Sequence, residues 1–279
     1  MGETTMTRAL ITGSNSGFGR LAALSLAREG HQVIATMRNL AKGEELRSNA
    51  EDEGLTIETR QLDVCDADSV EACMADPLDI DVLINNAGFE VQGAIDQIDD
   101  TLMQRQFETN VMGPLRTMRA VVPTWSKRGH GVIVNVSSIA GRVAPPYSGA
   151  YAASKHALEA MTEALHFEVS HLGIRVHLIE PGRFATTFQD NIVFPEGWNG
   201  SPQQQRALAF RESLTSLDSD GSPADPQVVA DSIFRAATDP STPFRTLVGV
   251  DAELIDATKT SMSFEDFETT MRTALDWHD

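Results

Sequence analysis

Short apolar runs alternate with amphipathic stretches along most of the chain. Runs rich in aliphatic and β-branched residues predict strands at 8–13, 31–37, 55–64, 81–88, 131–138, 174–182 and 244–250. Intervening stretches predict helices at 18–30, 40–50, 66–75, 99–125, 151–173, 201–217 and 224–238. Apolar strands that alternate with helices are typical of a parallel sheet covered on both faces. The pattern therefore predicts an α/β fold with a doubly wound, seven-stranded parallel sheet.

One long segment, residues 189–223, departs from this alternation. It is polar but carries scattered large apolar residues such as Phe194 and Trp198. Long insertions in compact domains are usually functional, so we expect this segment to be a substrate lid. Acidic residues are frequent after residue 250, which marks 251–279 as an acidic carboxyl-terminal extension. We expect both segments to belong to a single domain spanning 1–279.

Charge and cysteine content exclude several classes of function. The chain has 279 residues and a net charge of −18, from 22 basic and 40 acidic residues, and so acidic a surface repels nucleic acid. The apolar runs are far shorter than the roughly 20 residues of a membrane span, and the first residues lack a signal-peptide pattern. Two cysteines, Cys65 and Cys73, are too few for a disulfide framework or a metal cluster. We expect a cytoplasmic protein with no metal and no membrane or nucleic-acid partner.

Three glycines lie between the first predicted strand and the first predicted helix, in the sequence TGSNSGFG at 12–19. Gly13, Gly17 and Gly19 have the spacing GxxxGxG. Glycines let a ligand approach the backbone, and a helix N-terminus offers unpaired N–H groups and the positive end of its dipole. This turn therefore predicts a site for the pyrophosphate of a dinucleotide.

A tyrosine and a lysine open the helix predicted at 151–173, in the sequence YAASK. Tyr151 and Lys155 would share one helical face, about 5–6 Å apart at Cβ. A cation at that distance favours the phenolate and so lowers the pKa of the tyrosine. Taken alone, the pair is also what an ordinary exposed helix start shows, so its meaning depends on the rest of the chain.

Six motifs, in order along the chain, resemble those of the short-chain dehydrogenase/reductase family. They are TGSNSGFG (12–19), NNAG (85–88), Asn110 in FETNVMG, Ser138 in NVSS, YAASK (151–155) and EPGRFAT (180–186). Ser138 precedes Tyr151 by 13 residues, which is the spacing of the family. The resemblance covers roughly residues 8–250. It implies a Rossmann-type fold and an NAD(P)-dependent reaction that interconverts an alcohol and a ketone or aldehyde.

The resemblance also implies a catalytic tetrad of Asn110, Ser138, Tyr151 and Lys155. Tyr151 would be the general acid or base, and Lys155 would lower its pKa and hold the nicotinamide ribose. Ser138 would bond the substrate oxygen, Asn110 would hold a water in a proton relay, and the neighbouring Ser137 would be structural. Further residues are expected to bind the cofactor together with Tyr151 and Lys155: Gly13, Ser14, Asn15, Ser16, Gly17, Phe18, Gly19, Arg38, Asp63, Val64, Asn86, Ala87, Gly88, Pro181, Gly182, Phe184 and Thr186.

Cofactor preference is expected to depend on the end of the second strand, in VIATMRN. An acidic residue there would bind the ribose 2′-hydroxyl and select NAD, but this chain has none. Arg38 instead can pair with a 2′-phosphate, which predicts NADP(H) over NAD(H). Ser16 is a departure, because many NADP-preferring relatives carry Lys or Arg there. Phe184 replaces a β-branched residue of the family pattern, and Thr187 beside Thr186 leaves that assignment open by one position.

Substrate specificity is expected from the loops above the strand ends. A hydrophobic pocket there favours a bulky steroid-, retinoid- or aromatic-ketone-like substrate, and the overall pattern resembles the hydroxysteroid and retinol dehydrogenase-like branch. Arg142 and Arg183 are the cations that could serve an anionic group. The same aromatic residues would equally well pack the lid against the body. The candidate residues are Phe89, Glu90, Val91, Ala140, Val143, Pro146, Tyr147, Phe188, Val193, Phe194 and Trp198.

Alternative functions stay open at this point. They are an NAD(H)-dependent alcohol dehydrogenase acting on a small polar substrate, a non-catalytic NADP(H)-binding sensor, and an epimerase or dehydratase. The resemblance also implies a homodimer or homotetramer that assembles through the helices at 99–125 and 151–172. Apolar residues on both helices permit that contact, but they permit packing on the sheet as well.

Overall fold

Seven strands and ten α-helices lie within residues 6–75, 79–217 and 224–277, which are the residues that the computed structural model describes. The strands are β1 Arg8–Ile11, β2 Gln32–Met37, β3 Ile57–Gln61, β4 Val82–Asn85, β5 Gly131–Val136, β6 Ile174–Pro181 and β7 Arg245–Val248. The helices are α1 Gly17–Arg28, α2 Glu44–Asp52, α3 Ala67–Cys73, α4 Asp100–Phe107, α5 Gly113–Arg128, α6 Gly149–Val169, α7 Pro202–Ser213, α8 Gln227–Thr238, α9 Val250–Thr260 and α10 Phe264–Ala274.

The strands form one sheet in the order β3-β2-β1-β4-β5-β6-β7, and every pairing is parallel. Apolar side chains of α1, α2 and α8 cover one face, and those of α3, α5 and α6 cover the other. The prediction of a doubly wound sheet in a single domain is confirmed. The direction of winding reverses between β1 and β4, and ligands of such sheets bind at that reversal, beyond the carboxyl ends of the strands.

Most of the predicted strands, though not β2, extended too far at their carboxyl ends. The strands β1, β4 and β5 end at Ile11, Asn85 and Val136, so that the glycine turn, residues 86–88 and Ser138 lie in loops. These loops meet at the carboxyl edge of the sheet, where side chains and backbone groups are available to a ligand. The excess length thus came from counting functional loop residues as strand.

The single helix expected at 99–125 is interrupted. It consists of α4, a π-helical turn at Glu108–Met112 and α5, which continues to Arg128. Pro114 at the start of α5 has no N–H to donate to the carbonyl of Asn110, so the regular ladder cannot continue there. Such π turns are frequent at functional sites, and this one contains Asn110.

The acidic extension, to which the sequence analysis assigned no secondary structure, is helical. It forms α9 and α10, with Ser263 capping α10 through a bond from the N–H of Asp266. The expected lid contains α7, but its last part, 218–223, lies outside the described residues, as do 278–279 of the extension. Within the described residues, no helix combines the length and the apolarity needed to cross a bilayer.

Candidate active site

A cavity of about 920 Å³ opens at the carboxyl edge of the sheet. One side, which we call the amino-terminal wall, comprises the glycine turn, Arg38, Asn39, Lys42 and residues 62–65 and 86–88. The other side, the carboxyl-terminal wall, comprises Phe188, residues from 210 to 217 and residues from 264 to 277. Ser138, Tyr151 and Lys155 line the cavity between the two walls. Three of the four residues expected to react and most of the residues expected to bind the cofactor therefore share one space.

The glycine turn can accept the anionic part of a dinucleotide. Gly13 and Gly17 have positive φ values of 70° and 54°, which favour glycine. A Cβ at Gly13 would lie 2.8 Å from the Cα of Ala87, and a Cβ at Gly19 would lie 2.6 Å from the carbonyl oxygen of Gly13. At the start of α1 the Ser16 side chain makes no capping bond, and the first turn holds no acidic residue. The N-terminal N–H groups of α1 thus face the cavity without a competing carboxylate, which fits a pyrophosphate.

Two of the expected cofactor residues make contacts within the protein and do not face the cavity. Ser14 is fully buried, where its N–H donates to Thr36 (2.9 Å) and its hydroxyl to Ile11 (2.9 Å). Gly19 is buried and serves the packing of the turn. Neither belongs to the cavity lining, whereas the remaining expected cofactor residues do. Thr186 lines the cavity and Thr187 does not, which favours Thr186 as the residue that contacts the cofactor.

The turn is fastened to the residues that follow β4. The side-chain amide of Asn86 donates to the carbonyl oxygens of Thr12 and Gly13, each at 3.0 Å. The Thr12 hydroxyl accepts in return from the N–H groups of Asn86 and Ala87, each at 3.0 Å. These four bonds explain why NNAG follows the fourth strand: its amide side chain holds the glycine turn in place.

Cations lie where a 2′-phosphate would be bound. Arg38 is exposed at the end of β2, and Asn39 and Lys42 line the cavity beside it. Sequence reasoning had singled out Arg38 alone. At the adenine end, Val64 lines the cavity, and the Asp63 carboxylate accepts from the N–H of Cys65 at 3.0 Å, which shapes the turn after β3. These side chains fit NADP(H) without excluding NAD(H).

Lys155 is held in place by the strand beneath it. Its ammonium donates to the carbonyl oxygen of Val136 at 2.9 Å and lies 5.6 Å from the centre of the Tyr151 ring. Burial lowers the pKa of Lys155 to about 8, although the carboxylate of Glu159, one helical turn farther on, opposes that effect. Ser138 accepts from the N–H of Ala140 at 3.1 Å, so its hydroxyl is oriented over the same space.

The expected effect of Lys155 on Tyr151 is not what the structure shows. Burial and the negative charge of Glu90 raise the pKa of Tyr151, and the hydrogen bond with Ser138 lowers it only in part. Desolvation of the phenolate and the charge of Glu90 therefore dominate the pKa of Tyr151 in this arrangement. Tyr151 is held as a neutral acid, which is the form that donates a proton.

Asn110 does not reach the cavity. Its amide nitrogen donates to the Phe89 carbonyl oxygen (3.0 Å) and to the Ser154 hydroxyl (3.1 Å), and its amide oxygen accepts from the Phe89 N–H (3.2 Å). Asn110 is 1 % exposed, and its side chain connects the π turn, to which it belongs, with α6. The structure brings Ser138, Tyr151 and Lys155 together and places Asn110 behind them.

Aromatic and aliphatic side chains of the carboxyl-terminal wall face the catalytic groups. The ring of Phe188 lies 5.9 Å from that of Tyr151, and Phe210 of α7 packs edge-on against Trp277 at 5.3 Å. Further wall residues come from the extension, namely Phe264, Phe267, Met271 and Leu275. Sequence reasoning missed them, although the four-residue spacing of Phe267, Met271 and Leu275 is a helical signal.

The predicted specificity residues divide into two groups. Phe89, Glu90, Ala140, Val143, Pro146 and Phe188 line the cavity. The others pack the lid instead: Val91 pairs with Val193, and Trp198, which is 2 % exposed, packs between Tyr147 and Phe194. Val91, Tyr147, Val193, Phe194 and Trp198 do not line the cavity, so the structure does not bring them to the expected substrate site. Arg142 is paired with Asp256 at 2.9 Å, whereas Arg183 lines the cavity.

An ion pair connects the segment after NNAG to the carboxyl-terminal wall. Glu90 is 6 % exposed, accepts from the Ser148 hydroxyl at 2.6 Å and accepts from Arg211 of α7 at 3.0 Å. Burial raises the pKa of Glu90, while both partners oppose that shift. Nothing in the spacing of the sequence connects position 90 with position 211, so this pair was not predicted.

Comparisons with known proteins agree with this geometry. Residues 7–196 match the family model for short chain dehydrogenases. The chain is 36 % identical over 247 residues to a 3-ketodihydrosphingosine reductase of Bacteroides thetaiotaomicron, covering 86 % of this chain and 87 % of that protein. It is 39 % identical over 189 residues to human retinol dehydrogenase 8, covering 66 % of this chain and 61 % of that protein.

A solved structure has the same architecture over nearly the whole length. A short-chain dehydrogenase from Streptomyces avermitilis superimposes with a TM-score of 0.78 at 31 % identity, covering 96 % of this chain and 98 % of the other. The family match spans more than half of the sequence, and the fold agrees with it. The chain belongs to the short-chain dehydrogenase/reductase family and is an oxidoreductase of that family.

Proposed function

Because the chain is a short-chain dehydrogenase/reductase, we propose that it interconverts a bulky hydrophobic ketone or aldehyde and the corresponding alcohol with NADP(H). One observation carries this proposal: Ser138, Tyr151 and Lys155 line a single cavity between a glycine turn that fits a pyrophosphate and a wall of aromatic side chains. A nicotinamide cofactor supplies or accepts the hydride when it is bound. The protein residues supply the proton, the orientation and the exclusion of water.

In the direction of reduction, Tyr151 donates its phenolic proton to the substrate oxygen. Its raised pKa keeps that proton in place until charge develops on the oxygen. Ser138 donates a hydrogen bond to the same oxygen, and Lys155, with its ammonium tethered to Val136, offers positive charge near the phenolate that forms. Asn110 acts from behind by fixing the backbone of Phe89 and the hydroxyl of Ser154.

The preference for NADP(H) is proposed from charge. Arg38, Asn39 and Lys42 line the cavity at the end of β2, and no acidic residue is available there to bind a ribose 2′-hydroxyl. A 2′-phosphate between two cations gains charge-assisted hydrogen bonds that NAD cannot make.

The substrate class is proposed from the carboxyl-terminal wall. Phe188, Phe210, Phe267, Met271 and Leu275 offer apolar surface to whatever carries the reacting carbonyl. Two relatives are named for a 3-keto sphingoid base and for retinol, and both molecules carry long apolar chains. We therefore propose that residues 189–217 act as a lid and that the extension forms the far side of the substrate site.

The direct test is consumption of reduced cofactor with a graded set of carbonyl compounds. Retinal, 3-ketodihydrosphingosine, a steroid ketone, and acetone as the small polar member would each be assayed with NADPH and with NADH. We expect the bulky apolar compounds to give the higher kcat/KM and NADPH to exceed NADH. Higher efficiency for acetone with NADH would favour the small-substrate alternative. NADPH binding without turnover of any compound would favour the sensor alternative.

We also propose that the protein forms a homo-oligomer, and we base this on an exposed aromatic residue of α6. Phe167 is 74 % exposed there, on one of the two helices through which the family resemblance implies assembly. Other apolar residues of these two helices, Val111, Met118 and Leu158, are buried within the protomer and are not available for assembly. Sedimentation at micromolar concentration tests the proposal: a single monomeric species contradicts it, and Phe167→Asp should dissociate a dimer.

A cytoplasmic location is proposed from the thiols alone. Cys65 and Cys73 are both free, and burial raises the pKa of each, so they are poor nucleophiles. Free thiols persist in reducing compartments. Fractionation of the native host with detection of the untagged protein tests this location directly.

A further inference from the structure

Glu90 is a buried charge for which the proposed reaction has no use. It lines the cavity two residues after NNAG, yet its side chain is only 7 % exposed. A carboxylate at that depth carries a large desolvation penalty, which is offset only by close partners. Its partners are Ser148, at 2.6 Å, and Arg211, at 3.0 Å. An apolar side chain at position 90 would avoid this penalty, so the presence of a charged residue there needs an explanation.

One partner places Glu90 beside the catalytic helix. Ser148 occupies the N-cap position of α6, and Tyr151 lies in the first turn of the same helix. The Glu90 carboxylate is therefore bonded to the residue that begins this helix, where the helix dipole also favours negative charge. Its field reaches the phenol, since the charge of Glu90 is among the causes that raise the pKa of Tyr151.

The other partner, Arg211, connects this charge to the lid. It is carried by α7, in the carboxyl-terminal wall, and its side chain is 34 % exposed, so it enters the cavity from the lid rather than from the sheet. With α7 docked, the guanidinium compensates the Glu90 charge. Displacement of α7 would leave Glu90 facing Tyr151 without compensation, and the phenol would then hold its proton more tightly.

Other charged groups around Tyr151 do not change in this way. Lys155 belongs to α6 itself and is tethered to β5, and Glu159 lies one turn beyond it, against Arg245 and Glu180. From the loop after β5, Ser138 contributes an uncharged hydroxyl. Arg105 of α4 packs over the ring of Phe89 at 5.1 Å. Arg211 differs from these groups because it is carried by α7.

We propose that Glu90 is a positioning residue that couples the docking of α7, through Arg211, to the acid/base behaviour of Tyr151. The inference rests on the proposed role of Tyr151 as the acid/base. A docked lid thus lowers the barrier to proton release from Tyr151 at the time when the substrate is enclosed, and an open lid keeps Tyr151 protonated.

The coupling predicts opposite effects from the two halves of one ion pair. Glu90→Gln removes a negative charge and should lower the pKa of Tyr151 by about one unit. Arg211→Met leaves the carboxylate uncompensated and should raise it. The double variant should behave like Glu90→Gln, because Arg211 acts through Glu90. A role confined to lid packing would shift the pKa of Tyr151 in the same direction in both single variants.

Two tyrosines in the whole sequence make the measurement simple. The protein would be labelled with tyrosine carrying ¹³C at the ζ position, and the two resonances would be followed against pH by NMR with saturating NADP⁺, whose positive nicotinamide ring should bring the pKa of Tyr151 down toward the pH range in which the protein is folded. Tyr147→Phe assigns the signals, and in the other variants Tyr147 is an internal reference. The readout needs no turnover, so a failed choice of substrate cannot be mistaken for a failed coupling.

Matched controls lie on the same helix. Arg206→Met and Glu212→Gln remove exposed charges of α7 and should leave the pKa of Tyr151 unchanged. Ser148→Ala keeps both charges, so it should move the pKa of Tyr151 less than Glu90→Gln does. If Glu90→Gln fails to fold, the partly exposed Arg211→Met still tests the coupling through the rise in the pKa of Tyr151. Equal or same-sign shifts in Glu90→Gln and Arg211→Met, or a Tyr151 signal that neither variant moves, would overturn the coupling.

Discussion

The two walls of the cavity face each other across the catalytic residues but are determined in different ways. The amino-terminal wall is made of backbone: two glycines with positive φ, and a turn fastened by Asn86 to the residues after β4. The carboxyl-terminal wall is made of side chains from α7 and α10, which meet only in the folded protein. We propose that the first wall binds the cofactor and that the second sets substrate specificity. On this proposal the two functions belong to separate parts of the chain.

A substitution in the glycine turn should cause the largest loss of stability and of cofactor binding, because the neighbouring backbone leaves no room for a Cβ there. Gly13→Ala places a Cβ 2.8 Å from the Cα of Ala87 at a φ of 70°. We expect a loss of about 2–5 kcal/mol of unfolding free energy, from left-handed strain and overpacking together, and loss of NADPH binding.

Gly54→Ala is the matched control for this variant. Gly54 has a φ of 67°, but a Cβ added there would meet nothing within 4 Å, so only the strain of about 1–2 kcal/mol should appear. Urea denaturation and quenching of tryptophan fluorescence by NADPH measure both effects. Equal losses in the two variants would show that backbone space at the turn is not what distinguishes the amino-terminal wall.

Arg38→Ala tests the charged end of the same wall. Removing a cation from the 2′-phosphate site should lower the ratio of NADPH to NADH efficiency by about 10- to 100-fold, since a charge-assisted pair is worth roughly 1.5–3 kcal/mol. Arg47→Ala, an exposed arginine of α2 that bonds the Leu40 carbonyl, should leave the ratio unchanged. An unchanged ratio in Arg38→Ala would remove the argument for NADP(H).

The smallest effect is expected at the carboxyl-terminal wall, and it should depend on the substrate. Phe267→Ala opens the apolar surface contributed by α10 and should raise KM for a bulky ketone by about tenfold, because roughly 1–3 kcal/mol of apolar contact is lost. The KM for NADPH should stay constant. Val228→Ala, which truncates an exposed apolar residue of α8, is the control. A tenfold change in the KM for NADPH instead would mean that the two walls are not separate in function.

The same contrast explains what the sequence could predict. Alternating apolar runs and the glycine turn are local signals, so the seven strands, their parallel arrangement and the position of the turn were all within reach. The helix at 99–125 was predicted without its π turn. Pro114, four residues after Asn110, interrupts the backbone hydrogen bonds but not the regular pattern of apolar residues, so the pattern did not reveal the turn. Ser14 was included with the turn although its hydroxyl faces inward, to Ile11.

Tertiary contacts decided the rest. Trp198 was a substrate candidate from its size, but burial between Tyr147 and Phe194 makes it part of the lid. The pair of Glu90 and Arg211 spans 121 positions in the sequence and left no trace in its periodicity. The raised pKa of Tyr151 likewise depends on desolvation and on Glu90, neither of which the spacing of YAASK reveals.

The most direct test of the central claim compares the two tyrosines of this chain. Turnover of the best carbonyl substrate and the Kd of NADPH would be measured for the wild-type protein, Tyr151→Phe and Tyr147→Phe. Tyr151 lines the cavity, whereas Tyr147 packs against Trp198. We expect kcat to fall about 10²- to 10⁴-fold in Tyr151→Phe with the Kd of NADPH retained, and to stay near wild type in Tyr147→Phe. Undiminished turnover in Tyr151→Phe would contradict the assignment of Tyr151 as the proton donor.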